Sequence, residues 1–85
     1  MNTYKAKIKI TLRKGILDVQ GKAVEQALHS MDYDIMENVR IGKHITLEIE
    51  ASSEAIAREK VEEACKNLLA NHLMESFEFT LEKIS

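Results

Sequence analysis

From Lys5 to Leu12 the chain alternates strictly: Ala6, Ile8, Ile10 and Leu12 are apolar, and Lys5, Lys7, Lys9 and Thr11 are polar. That period of two predicts a strand with one face toward a core and the other toward water. Arg13-Lys14-Gly15 breaks the pattern. Asp18 then stands where a helix needs an N-cap, its carboxylate able to accept from the backbone N–H of Gln20 or Gly21. Val24, Ala27, Leu28 and Met31 recur at helical spacing and predict an amphipathic helix that ends near Asp32. A weaker alternation, with Glu37, Val39 and Ile41 on one side, predicts a second strand from about Ile35 to Ile41. Gly42-Lys43 predicts a tight hairpin turn, because glycine accepts positive φ. In the third strand Ile45, Leu47, Ile49 and Ala51 alternate with His44, Thr46, Glu48 and Glu50. Ser52 or Ser53 is expected to cap a second helix, with Glu54 near its positive end and Ala57, Val61, Ala64, Cys65 and Leu68 as its buried stripe. Phe77, Phe79 and Leu81 face inward on a last strand, opposite Glu78, Thr80 and Glu82.

The predicted order is β-α-β-β-α-β: an α+β, two-layer, ferredoxin-like antiparallel sheet with two helices on one face. Charge selects the order of the strands. The polar face of the first strand is basic, whereas the third and last carry Glu48, Glu50, Glu78 and Glu82. Placing the first strand between those two sets opposite charges side by side, at roughly 0.2–1 kcal/mol per cross-strand pair. The expected order is therefore last, first, third, second. Residues 1–85 form one domain, without repeat, linker or low-complexity segment.

At 85 residues with 45% hydrophobic and 31% charged residues, the chain can fill one core, yet it lies near the lower size limit for folding alone. A short domain gains stability by association, so a partner-dependent role is favoured. A net charge of −2 gives no general pull toward nucleic acid or anionic lipid. The single cysteine excludes an internal disulfide and fits a reducing compartment. No basic segment with an apolar run opens the chain, and no apolar stretch approaches membrane-spanning length. The expectation is a soluble, cytoplasmic domain.

No catalytic constellation emerges. Cys65 falls on the buried stripe of a helix, where free cysteine packs as a small hydrophobe. His29, His44 and His72 lie on a helix, a strand and a loop, without ligand spacing, so no metal site is expected. Gly15, Gly21 and Gly42 match neither phosphate-binding signature. Gly21, in the first turn of a helix, suggests close approach by other backbone or by a ligand. The row Lys5, Lys7, Lys9 lacks the aromatic platform on which such sheets stack RNA bases.

Several short signatures, in order, carry a resemblance that covers nearly the whole chain. They are Lys14-Gly15-Ile16-Leu17-Asp18 with Gln20-Gly21, Ala27-Leu28, Val39-Arg40 with Gly42-Lys43, and Leu68-Leu69-Ala70-Asn71 followed by Glu75. Together they resemble the PurS family, small subunits of phosphoribosylformylglycinamidine synthase. The chain departs from the family pattern at Val19 and His72, where Pro is usual, and at Asp32, where Gly is favoured.

The resemblance implies a non-catalytic subunit of de novo purine biosynthesis that bridges a glutaminase and a large ATP-dependent synthetase and assists ammonia transfer. It implies no cofactor in this chain, with ATP and Mg on the synthetase partner. A small dimeric metabolite-sensing regulatory module is the alternative function. A homo-oligomer, dimer or tetramer, is expected, formed along the edge of the weak second strand. The motif residues Lys14, Asp18, Gln20, Gly21, Arg40, Gly42, Lys43 and Asn71 are expected to bind partners or shape the motif. Turn formation accounts for Gly42 and capping for Asp18, which leaves Arg40 and Lys43 without a folding role and makes them the expected docking pair.

Overall fold

In the computed structural model, which describes residues 1–71 and 73–85, the strict alternation at the N-terminus becomes strand β1, Asn2–Leu12. Tyr4, Ala6, Ile8 and Ile10 are buried on one face. Helix α1, Val19–Ser30, starts at the cap Asp18, whose Oδ1 accepts from Gly21 N at 2.7 Å. It ends in a Schellman turn: Tyr33 N donates to Leu28 O and Asp32 N to His29 O. Asp32 there has φ 71°, a left-handed conformation that glycine would adopt at lower cost.

Strand β2, Gly42–Ala51, leads through the cap Ser53 into helix α2, Glu54–Ala64. The helix runs on into a π-helical turn, Cys65–Leu69, and strand β3, Glu75–Lys83, closes the fold. The π turn shifts the apolar stripe by one residue. Leu68, expected inside, is 81% exposed, and Leu69 and Ala70 pack on the core instead. The expected loop position of His72 falls outside the described residues.

The sheet is antiparallel with order β2-β1-β3, as charge complementarity predicts for these three strands. Lys5 lies opposite Glu48 on one side and Glu82 on the other, and Lys9 opposite Glu78. On the other face Ala6, Ile8 and Ile10 pack with Val61 and Cys65, and Tyr4 with Ala51 and Ala57. Phe77 and Phe79 stack at 6.4 Å, and the Arg58 guanidinium of α2 lies 5.5 Å from the Phe79 ring. The two-layer, ferredoxin-like design therefore holds, with three strands among the described residues rather than the expected four.

The missing strand is the main correction. Residues 35–41 pair with no strand, because their backbone is bonded to α1 instead. Val39 N donates to Glu25 Oε1 at 3.0 Å, and Ile41 N to Asp18 Oδ2 at 2.7 Å. His29 Nε2 lies 2.8 Å from Met36 O, and Asn38, at φ 58°, breaks the extended run. The expected hairpin at Gly42-Lys43 is absent too. Gly42 opens β2 opposite Thr11, and its need for glycine is spatial: a Cβ would lie 2.7 Å from Ile10 O.

The molecule measures 52 × 27 × 14 Å, with a radius of gyration of 16.6 Å. A compact chain of this length would have about 12 Å. The excess goes with a helix that the chain leaves largely uncovered. Gly21 is the one buried residue of α1, and Val24, Ala27 and Met31 of the predicted stripe are exposed.

Candidate partner-docking rim

At the Leu12 end of β1 three segments converge: the loop 13–18, the stretch 36–42 and the turn 70–75. Asp18 ties the first two together. One carboxylate oxygen caps α1, and the other holds Ile41 N across 23 residues of chain. These bonds, from Ile41 first and Gly21 second, hold the Asp18 carboxyl below its ordinary range. The Val39 amide lowers Glu25 in the same way. Gly21 completes the clamp, since any Cβ there would collide with the Val39 carbonyl. The close approach suggested by that glycine is thus to backbone.

Arg40 closes the loop from above. Its Nη1 donates to Ile16 O at 3.1 Å and its Nη2 to Arg13 O at 3.3 Å. Lys43 Nζ reaches over the end of β1 to Glu75 at 3.4 Å. Glu75 Oε1 also accepts from Asn71 N at 2.8 Å, and Asn71 Oδ1 accepts from Leu73 N at 3.0 Å. The Asn71 amide, then Lys43, depresses the Glu75 carboxyl. Arg40 and Lys43 therefore do shape the fold, contrary to the sequence argument that made them docking residues by elimination. Arg40 also lies on no edge strand.

Lys14 and Gln20 differ from their neighbours. Both are exposed, and among the described residues neither side chain has a hydrogen-bond or ion-pair partner. Gln20 shares its helix face with Val24, Ala27 and Met31, at i, i+4, i+7 and i+11. Glu25 was not singled out by sequence reasoning, and His29 entered it only as a histidine without ligand spacing. Their bonds reach an irregular segment 7–14 residues away, and no spacing rule encodes that.

Three depressed carboxyls make the rim sensitive to acid. A lowered folded-state pKa contributes stability above the ordinary values, 3.8 for Asp18 and 4.5 for Glu25 and Glu75, and loses it as pH falls through the folded values. Amide exchange monitored by NMR should show Val39, Ile41 and Asn71 losing protection below about pH 4, ahead of the β1 amides. Simultaneous loss at all sites would count against a separately held rim.

Chemically, the rim is a set of staples. Among the described residues no three of His, Cys, Asp and Glu are arranged to hold a metal ion. Cys65 is enclosed in the core, and burial raises its thiol pKa. None of the described helices is long and apolar enough to cross a membrane.

A ferredoxin-like α+β domain with one uncovered amphipathic helix, and polar groups largely engaged with its own backbone, has the build of an assembly subunit. Residues 5–83 match the family model described as PurS, phosphoribosylformylglycinamidine (FGAM) synthase. The chain is 42% identical over 81 residues to the phosphoribosylformylglycinamidine synthase subunit PurS of Bacillus subtilis, covering 95% of each. It superposes on a Thermotoga maritima chain from a PurLQS structure with a TM-score of 0.87 and 31% identity, over 99% of this chain and 100% of that one. Against Methanocaldococcus jannaschii PurS, described as one of the subunits of formylglycinamide ribonucleotide amidotransferase, the TM-score is 0.86 at 36% identity, over 96% and 99%. The chain belongs to the PurS family, subunits of FGAM synthase in purine biosynthesis.

Proposed function

We propose that this chain is the non-catalytic small subunit that joins a glutaminase to an ATP-dependent synthetase and helps ammonia pass between them, in the cytoplasm. The observation that carries this reading is its match, over nearly its whole length, to a chain of the PurLQS structure. The chemistry supplies the reason for such a subunit. Ammonia must arrive neutral and nucleophilic, so the route has to exclude bulk water, and a rigid layer between two enzymes can close it. ATP and Mg belong on the synthetase in this reading, and no cofactor on this chain. With the family shown, no observation favours a metabolite-sensing module.

The chain works as a homo-oligomer, most simply a two-fold dimer. Support comes from α1: Val24, Ala27 and Met31 form an exposed apolar stripe that no other described residue covers. This replaces the edge of the expected strand at residues 35–41, which does not form.

Reconstitution tests the reading. Synthetase and glutaminase together should make little amidine from glutamine without this chain and recover on its addition, whereas turnover on free ammonia should change far less. Full glutamine-dependent turnover in its absence, or glutamine hydrolysis by the pure chain, would overturn the assignment.

A further inference from the structure

Helix α1 has unlike ends. At its start, Leu12, Lys14, Gly15, Asn38 and Arg40 line an open groove of about 510 Å³. The groove is cationic. Lys14 has no carboxylate partner among the described residues, and Arg40 is pinned by two carbonyls with its remaining N–H donors open. At its far end, Met31-Asp32-Tyr33-Asp34-Ile35-Met36-Glu37 projects as a loop in which every residue is exposed, Ile35 at 92%. Its three carboxylates have no cationic partner among the described residues. Charged groups and apolar side chains are thus displayed together at both ends, with opposite sign.

We propose that the groove at Lys14 and Arg40 receives the acidic loop 31–37 of a second copy, twice over in a two-fold pair of antiparallel α1 helices. The inference rests on the dimer reading above and gives that dimer its register. Twelve residues of helix separate groove from loop by about 18 Å. Antiparallel contact along Gln20, Val24, Ala27 and Met31 covers the open stripe and sets the loop of each copy beside the groove of the other. Asp34 then meets Lys14 and Arg40, and Ile35 meets Leu12. Because the contact is isologous, each residue pair occurs twice.

Charge exchange tests this directly. Lys14→Glu and Asp34→Lys alter exposed side chains without partners among the described residues, and circular dichroism should show both variants folded. Asp32 is left untouched, since it ends the helix at positive φ. In sedimentation equilibrium, Asp34→Lys should associate at least about tenfold more weakly than the parent, because it sets like charge against Lys14 and Arg40 in both contacts, and Lys14→Glu should weaken association by less, because Arg40 still faces Asp34. An equimolar mixture of the two, in which one contact keeps the parent pairing and the other regains one opposite-charge pair, should associate more strongly than either variant alone, and the double variant more strongly than Asp34→Lys.

If both single variants dimerise as the parent does, the groove pairing is wrong while the dimer stands. A mixture no stronger than its components also overturns it. If the variants dimerise normally but fail to assemble with synthetase or glutaminase, the groove belongs to another subunit and the second-copy assignment falls. A parent chain that sediments as a monomer at micromolar concentration removes the dimer and the pairing together.

Discussion

Replacing Ile8 by alanine is expected to cost about 2–5 kcal/mol, the range for large-to-small changes in a packed core. Ile8 is 0% exposed, on the middle strand, with Ile45 and Phe79 opposite and Val61 and Cys65 in the same cluster. The cavity cannot collapse readily, because both edges of β1 are held by neighbouring strands. A domain of this size holds only roughly 4–13 kcal/mol in total. Thermal unfolding at fixed protein concentration should therefore show Tm lower by at least about 10 °C. A fall of under about 3 °C would mean that the core is not centred on Ile8.

Gly21→Ala should also destabilise, against the trend for its position. Glycine to alanine inside a helix normally gains about 0.5–1 kcal/mol, since alanine loses less backbone entropy. Here the new Cβ would strike the Val39 carbonyl and lie 2.8 Å from Asp18 Oδ2. To make room, either the helix start or the segment 38–41 must move, and both are held by the same carboxylate. The expected loss is about 1–3 kcal/mol, typical of overpacking, with faster amide exchange at Val39 and Ile41. A raised Tm would show that the helix and that carbonyl do not touch.

The parts of this fold written in local pattern could be read from the sequence. Strict alternation gave β1 and β2, helical spacing gave α1 and α2, and the signs of Lys5, Lys9, Glu48, Glu78 and Glu82 gave the order of the three strands. Residues 35–41 misled because period two records only an extended backbone with two unlike sides. It does not record whether the N–H groups go to a strand or, as at Val39 and Ile41, to carboxylates on a helix. The cap at Asp18 was legible from its place before the helix, but the reach of its second oxygen to Ile41 was not. Arg40 illustrates the limit of elimination: an exposed arginine without a local role had a distant one, on the carbonyls of Arg13 and Ile16. The stripe on α1 was legible as apolar, yet amphipathicity does not say whether the covering surface belongs to the same chain.

The central position of β1 sets the order in which the protein can be completed. β1 precedes both of the neighbours it needs, and these end at Ala51 and Lys83. No hairpin joins any two strands, so every ladder waits on a distant part of the chain. One side of β1 can be covered once Ala51 has left the ribosome, while the other stays open until the last residues of β3 emerge, on the order of seconds later. During that interval the nascent chain carries an apolar half-sheet with a bare edge, the kind of surface that chaperones hold. The segment that finishes this sheet is β3, so a ribosome stalled within the codons for Glu75–Lys83 would hold a chain with β1 and β2 in place and no third strand beside them.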